Sequence, residues 1–290
     1  MCENAVNARV PVAVPGARGS SPLLKKVAGA VAATAALGAA TAAYGHFIEL
    51  NNFQLRTESL PVLPAGSPDF RILHISDMHM IPGQQKKIDF MHSLAALEPD
   101  LVMNTGDNLS HVDGMGPLLE ALDPLMDFPG VFVPGSNCYF APVFKNPARY
   151  LWQPRTPQMI EEGSRVALPI ERMHEAFESR GWTGLVNRYD TLNLKGLRLE
   201  FSGVDDPHLR YDEHPGFAPG AFDEGEEPSV RIGVAHAPYM RTLHRFVQDG
   251  AQAIFAGHTH GGQVCLPGGH ALVSNCDLPP SRAKGVSEQS

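Results

Sequence analysis

Seven residues of metal-ligand type fall in order at the ends of short apolar runs, and this arrangement constrains the 290-residue chain more than any other feature. The runs RILHIS, LVMNT, VFVPG, VRIGVAH and AIFAGH lead into polar clusters: Ser76-Asp77-Met78-His79, Thr105-Gly106-Asp107-Asn108, Gly135-Ser136-Asn137, His236-Ala237-Pro238 and Gly257-His258-Thr259-His260-Gly261-Gly262-Gln263. Open α/β sheets bind ligands outside the carboxyl ends of their strands. Clusters spread over almost 190 residues can therefore converge on one crevice. Between the runs, Ile88, Met91 and Leu94, then Leu118, Leu122 and Leu125, then Ile170, Met173 and Phe177, then Met240, Leu243 and Val247 recur at helical spacing. With the further run LRLEFSG, this alternation predicts an α/β domain whose sheet is at least partly parallel.

The segments around this domain differ in kind. Residues 27–45 carry no charge over 19 positions and follow Lys25 and Lys26. Residues 25–46 are accordingly expected to be a transmembrane anchor or a signal peptide ending near Ala43, with the amino terminus inside and the rest outside. That places the catalytic domain on the extracytoplasmic side of the cell membrane, or exports it if the segment is cleaved. Residues 1–24, with their Pro, Gly and Ser, read as a disordered leader, 47–69 as a linker and 70–290 as the catalytic domain. Within the domain, prolines and aromatics break the alternation at about 139–165, which predicts an irregular insertion. Tyr139, Phe140, Phe144, Tyr150, Leu151 and Trp152, interleaved with Lys145 and Arg149, either pack this loop on the domain or form a flap; the acidic run Asp223, Glu224, Glu226 and Glu227 reads as a solvated loop.

Charge and cysteine usage narrow the chemistry. A net charge of -8 offers no basic footprint for a polyanion, so no nucleic-acid partner is expected. The four cysteines contain no C-x-x-C pair, which leaves neither a zinc ribbon nor a disulfide framework, although a bridge between Cys265 and Cys276 stays open. Asp77 with His79, and His258 with His260, are spaced by two, so on extended backbone each pair faces one side. Gly106, Gly135, Gly257, Gly261 and Gly262 fit a pocket in which backbone turns tightly or approaches ligands closely. Carboxylate, imidazole and amide oxygen together suit Mn, Fe or Zn. Two such ions, about 3.5–4 Å apart, support hydrolysis by a shared hydroxide while stabilising charge on a phosphoryl group.

The order D-x-H, G-D-N, G-x-N, H-A-P and G-H-T-H-G-G-Q, from about Phe70 to Asp277, resembles the calcineurin-like metallophosphoesterase superfamily. The resemblance implies a sandwich of two mixed β-sheets flanked by α-helices and a site holding two divalent metal ions. Asp77, His79 and His260 are then expected on one metal, Asn137, His236 and His258 on the other, and Asp107 bridging both. The tail motif, the segment Asp205-Asp206-Pro207-His208 and the amino-terminal apolar run look most like the membrane-associated bacterial branch, which includes hydrolases of lipid or nucleotide-lipid pyrophosphates. A phosphorylated small molecule or lipid is the expected substrate, with oligomeric state left open.

Two departures from the family pattern matter. The usual histidine after the asparagine ligand is Cys138, a poor proton donor, which favours substrates whose leaving groups need little help. His208 is a candidate stand-in, and Asn108 either contacts substrate or shapes its turn, so Asn108, Cys138 and His208 are the candidate catalytic residues. Asp205 and Asp206 read either as an acid and a base or, at least as well, as a turn-forming pair that orients His208. The second departure is that the sequence ends at Ser290, where the family continues with further strands, so the sandwich is expected to lack its last ones. His74, inside RILHIS, reads as a hydrogen-bonded sheet residue, and His46, His92, His111, His174, His214, His244 and His270 as surface residues or helix partners.

Overall fold

The computed structural model describes residues 22–142, 165–218, 229–262, 264–266 and 270–289. The leader expected at 1–24 lies outside them as far as residue 21. The chain divides into two compact units, Met1–Gln54 and Leu55–Ser290. In the first, helix α1 (Pro22–Phe47) runs for 26 residues. It belongs to the one helix among the described residues that is long and apolar enough to cross a membrane, by length and composition only. Its two threonines return their hydroxyls to Ala30 and Leu37 carbonyls one turn back, so neither needs an outside partner.

The second unit is built from two four-stranded sheets. Strands β1 (Ile72–Ile75), β2 (Leu101–Asn104), β3 (Gly130–Phe132) and β4 (Thr183–Gly184) pair in that order and are parallel throughout. Parallel neighbours require crossovers. These contain α2 (Gln85–Ser93), α3 (Met115–Leu122), the single turn α4 (Ser136–Tyr139) and α5 (Ile170–Ser179). In the other sheet, β5 (Arg188–Leu194), β6 (Leu197–Gly203), β7 (Ser229–Ala235) and β8 (Ala253–Ala256) pair in order, with β5 antiparallel to β6 and the rest parallel. Helix α6 (Met240–Gln248) links β7 to β8. Strands β9 (Val264–Leu266) and β10 (His270–Val273) form a separate antiparallel pair. The expected α/β sandwich is therefore present, but only the second sheet is mixed.

Strand alternation makes two core layers. Leu101, Met103, Val131 and Val133 of the first sheet pack against Leu199, Phe201, Ile232 and Val234 of the second. On the first sheet's other face, Leu73, Ile75, Val102 and Phe132 meet Ile88 and Met91 of α2, Leu118 and Leu122 of α3, and Met173 and Phe177 of α5. The helical spacings in the sequence thus identify the buried faces, with two local exceptions. Leu94 and Leu125 fall in 3-10 turns following α2 and α3, the second with Pro124 at its start. In α6 the buried residue is Phe246 rather than Val247, because its ring lies over Gly233, where an added Cβ would come within 2.6 Å of it.

Strand β5 escapes the sequence pattern because RYDTLNL is mostly polar and partly exposed. Its pairing is set by the two-residue turn Lys195-Gly196, both at positive φ (52° and 75°), the turn whose twist suits a tight hairpin. The proposed insertion lies mostly outside the described residues, including Phe144, Lys145, Arg149, Tyr150, Leu151 and Trp152. Its two ends are side by side, where Phe140 bridges Ala167. The acidic run at 223–227 is also outside them. Cys265 is exposed, Cys276 is buried, and no disulfide joins them.

Because Phe246 is fully buried over a glycine, Phe246→Ala is expected to cost about 3–5 kcal/mol, read as a shifted urea midpoint with unchanged slope.

Candidate metal centre

All seven ligand-type residues lie beyond the carboxyl ends of strands. Asp77 and His79 follow β1, Asp107 follows β2, Asn137 sits in α4 after β3, His236 follows β7, and His258 and His260 follow β8. Backbone bonds draw these ends together. The N–H groups of Asp77 and His79 donate to the carbonyls of Gly106 and Asp107 at 2.8 and 2.9 Å, and Gly257 donates to His236 at 2.8 Å. Two further bonds cross from one sheet to the other. The His258 N–H donates to Asp77 Oδ2 at 2.8 Å, and His236 Nδ1 lies 2.7 Å from the Thr105 carbonyl.

The result is two adjoining groups, Asp77, His79 and His260, and Asp107, His236 and His258, and within each the candidate ligand atoms lie within 4.8 Å of one another. Asp107 Oδ2 is 3.3 Å from His236 Nε2 in its own group and 3.8 Å from His79 Nε2 in the other. Asn137 joins the same cluster. Its N–H donates to Asp107 Oδ1 at 2.7 Å, while its side-chain amide is 3.2 Å from both Asp107 Oδ2 and His79 Nδ1.

The donor set fits cations. His79 and His260 face each other Nε2 to Nε2 at 3.2 Å, and His258 Nδ1 faces His236 Nε2 at the same distance. Imidazole nitrogens so paired point lone pairs at one another unless a proton or metal stands between them. Asp77 Oδ1 is buried without a hydrogen-bond partner, with His260 Nε2 at 3.3 Å. Outer nitrogens are held as metal-binding histidines require: His236 Nδ1 by the Thr105 carbonyl, His79 Nδ1 at 2.9 Å by the Ser110 hydroxyl, and His258 Nε2 by Asn275, at 3.4 Å from its carbonyl and 3.3 Å from its amide. Ser110 and Asn275 had no sequence signal, since neither stands in a motif.

The backbone corrects one expectation. Asp77, His79, Asp107, His258 and His260 all have φ between 45° and 68°, so the pairs spaced by two are not on extended chain. They converge because each sits in a left-handed turn just past its strand, a conformation that concentrates at functional sites. Glycines make room for these turns. A Cβ on Gly135 would lie 2.4 Å from Asp107 Oδ1, and one on Gly257 would lie 2.5 Å from Asp77 Oδ2.

Electrostatics follow the geometry. Burial disfavours a charged His236, yet Asp107 beside it lifts its pKa to about 10. Burial and the nearby His236 push His258 down to about 3. Burial alone would raise both carboxyls, but His260 and His236 hold Asp77 well below the usual range and His236 and His79 hold Asp107 at about 2.

The candidate catalytic residues are placed differently from one another. Cys138 is fully buried; burial and then Asp107 raise its thiol to about 12, and the Asn108 N–H lies 3.5 Å from its sulfur. Asn108 is also fully buried, its carbonyl accepting from Asn104 at 2.9 Å and its amide turned towards Cys138 and Met173. Neither side chain reaches the ligand groups. His208 does approach them, its ring 4.7 Å from that of His258 and its Nδ1 3.0 Å from the Tyr239 hydroxyl. Asp206 accepts the His208 and Leu209 N–H groups, and Asp205 accepts the Tyr139 hydroxyl, so the acidic pair shapes the turn. His74 stands apart, bonded to Thr105 and edge-on to Phe255. His92 ties α2 to the Glu120 carbonyl. A cavity of about 350 Å³ beside Tyr139, His174 and Arg188 contains none of the seven.

The calcineurin-like phosphoesterase model matches residues 70–262, and the chain belongs to that family. It is a metal-dependent phosphoesterase. A relative in Bacillus subtilis (strain 168), the uncharacterized protein YpbG, is 27% identical over 215 residues, spanning 72% of this chain and 69% of its own length. Among solved structures, TT1561 of Thermus thermophilus has a TM-score of 0.38 at 12% identity, covering 65% of this chain and 81% of its own. The phosphopantetheinyl hydrolase PptH of Mycobacterium tuberculosis has a TM-score of 0.32 at 13% identity, covering 63% and 75%.

Two outcomes test the centre. Gly135→Ala should reduce bound Mn by mass spectrometry, because its methyl collides with both Asp107 and His236. Loading should also release protons. His236 rises from 6.5 to about 10, so at neutral pH a metal must displace its proton. Apparent affinity should therefore climb with pH from neutrality up to about 10, and calorimetric heats should depend on buffer ionisation enthalpy. Buffer-independent heats would show that His236 carries no proton for a metal to displace.

Proposed function

We propose that the chain is a dinuclear hydrolase of phosphoanhydride or activated phosphodiester bonds. The observation that carries this reading is the shared carboxylate: Asp107 lies within 4 Å of imidazoles from both groups. Bound divalent ions would supply Lewis-acid activation of a water and charge neutralisation at the phosphoryl oxygens. Asp77, His79 and His260 would hold one ion, Asn137, His236 and His258 the other, and Asp107 both.

The chain's own groups then decide which leaving group is tolerated. The thiol that follows Asn137 is buried and holds its proton too tightly to serve. The imidazole of His208, beside His258 and bonded through Nδ1 to Tyr239, is the proton donor on this reading. A single donor at the rim favours pyrophosphates and aryl esters over alkyl monoesters. Helix α1 and its Lys25-Lys26 flank support a membrane-associated enzyme acting outside the cytoplasm, on a lipid or nucleotide-lipid pyrophosphate.

A panel of lipid pyrophosphates, nucleotides, a nitrophenyl diester and an alkyl phosphate, assayed with Mn, tests this. Asp107→Asn should lower turnover by on the order of 10³-fold. His208→Ala should slow the alkyl ester by about 10²-fold and leave the nitrophenyl diester nearly unchanged. Equal losses on both substrates would remove His208 as the acid. Full metal loading with no turnover on any substrate would favour a metal-binding protein with a scaffolding role, the reading suggested by the buried Cys138.

A further inference from the structure

Three of the four clustered histidines have an outer nitrogen held by a partner away from the centre, and these partners differ in origin. The Thr105 carbonyl and the Ser110 hydroxyl come from segments adjoining Asp107, so local chain geometry places them. Asn275 comes from a segment 17 residues beyond His258, after strand β10. Its placement must be enforced separately.

It is enforced by a tightly pinned turn. The fully buried Ser274 hydroxyl lies 3.1 Å from the Cys276 carbonyl and donates at 2.6 Å to that of Leu278. Cys276 and Leu278 pack with Ala237, Tyr239 and Leu243 under the His236 segment. Asp277 accepts the Met240 N–H at 2.8 Å, tying the turn to the start of α6. At the far side the Thr259 hydroxyl, between the two histidines after β8, donates to the Ala283 carbonyl at 2.8 Å. Asn275 itself has φ 61°, a left-handed value like those of the ligands. Both its polar side-chain amide and its carbonyl lie within 3.4 Å of one atom, His258 Nε2.

We infer that Asn275 is a positioning residue: it holds His258 through Nε2 so that Nδ1, 3.2 Å from His236 Nε2, faces the second cation. The chemistry is that of an outer partner accepting the far N–H of a metal-binding imidazole, which orients the ring and strengthens the inner nitrogen as donor. With the amide turned so that Oδ1 faces the ring, Asn275 presents two acceptors to one N–H. This rests on reading the two groups as a metal pair. An asparagine kept only for its left-handed turn would predict that glycine, which adopts that φ freely, replaces it without consequence.

Asn275→Gly keeps the backbone conformation and the backbone carbonyl and removes only the side-chain amide, whereas Asn275→Asp also keeps a side-chain acceptor. Bound Mn should be followed by equilibrium dialysis with mass spectrometry, and thermal melts of the metal-free proteins should be recorded alongside. In wild type, two equivalents should bind. In Asn275→Gly, one equivalent should weaken by about 10- to 100-fold and the other stay unchanged, with an unaltered metal-free melt. Asn275→Asp should return that equivalent to within about threefold of wild type or tighter. Wild-type binding of both equivalents by Asn275→Gly, equal weakening of both, or an Asp variant as weak as the Gly variant would overturn the inference. If wild type itself bound fewer than two equivalents, the paired-metal reading would fall and this role with it.

Discussion

A carboxylate buried at the end of a central strand is costly unless charge is brought to it. Asp107 is 3% exposed, and the groups brought to it are the His236 and His79 imidazoles and the Asn137 N–H. These partners come from three different strand ends, two in the first sheet and one in the second. Satisfying one buried charge therefore requires the carboxyl ends of both sheets to meet. The bonds that cross the seam, His258 N–H to Asp77 and His236 Nδ1 to Thr105, fix that meeting at hydrogen-bond distance. The inter-sheet core of Leu101, Met103, Phe201 and Ile232 holds the same spacing from below.

Bringing so many donors together has a local cost. Five of the seven ligand-type residues occupy left-handed backbone, which stores on the order of 1–3 kcal/mol at each non-glycine position. Aspartate and histidine tolerate that region better than branched residues, and the adjoining glycines remove the Cβ atoms that would collide with the carboxylates. Cations binding the folded form alone would offset the strain through mass action. The centre and the fold are then mutually dependent: sheet packing positions the ligand-type residues, and their buried carboxylates need positive charge beside them.

The convergence of the ligand-type residues was legible in the sequence because metal chemistry demands unusual residue types, and strand ends mark where to look. The backbone conformation at Asp77 and His79 was not, because a spacing of two puts side chains on one face only where the strand continues, and this one stops at Ile75. Thr105 acts through its carbonyl and so leaves no side-chain signature. Asn275 is distant in sequence and belongs to a turn that looks ordinary. Phe246 was misplaced by one residue because helical spacing alone does not reveal which side chain the sheet's glycine leaves room for. Strand β5 is polar because it is a sheet edge, where pairing comes from a turn rather than from apolar burial.

Asn108 and Cys138 stand directly after two ligand-type residues, yet their side chains lie elsewhere. Successive side chains project in different directions, so with Asp107 and Asn137 turned to the centre, their neighbours turn towards α5 and the helix-side core. There they make a small closed set: Asn108 accepts from Asn104 and lies against the sulfurs of Cys138 and Met173. A buried, compact thiol suits that place, since an unpartnered imidazole there would carry a desolvation penalty. On the reading proposed for the site, proton donation has then left the Asn137 side of the centre. It falls to the turn built on Asp206, which presents His208 next to His258.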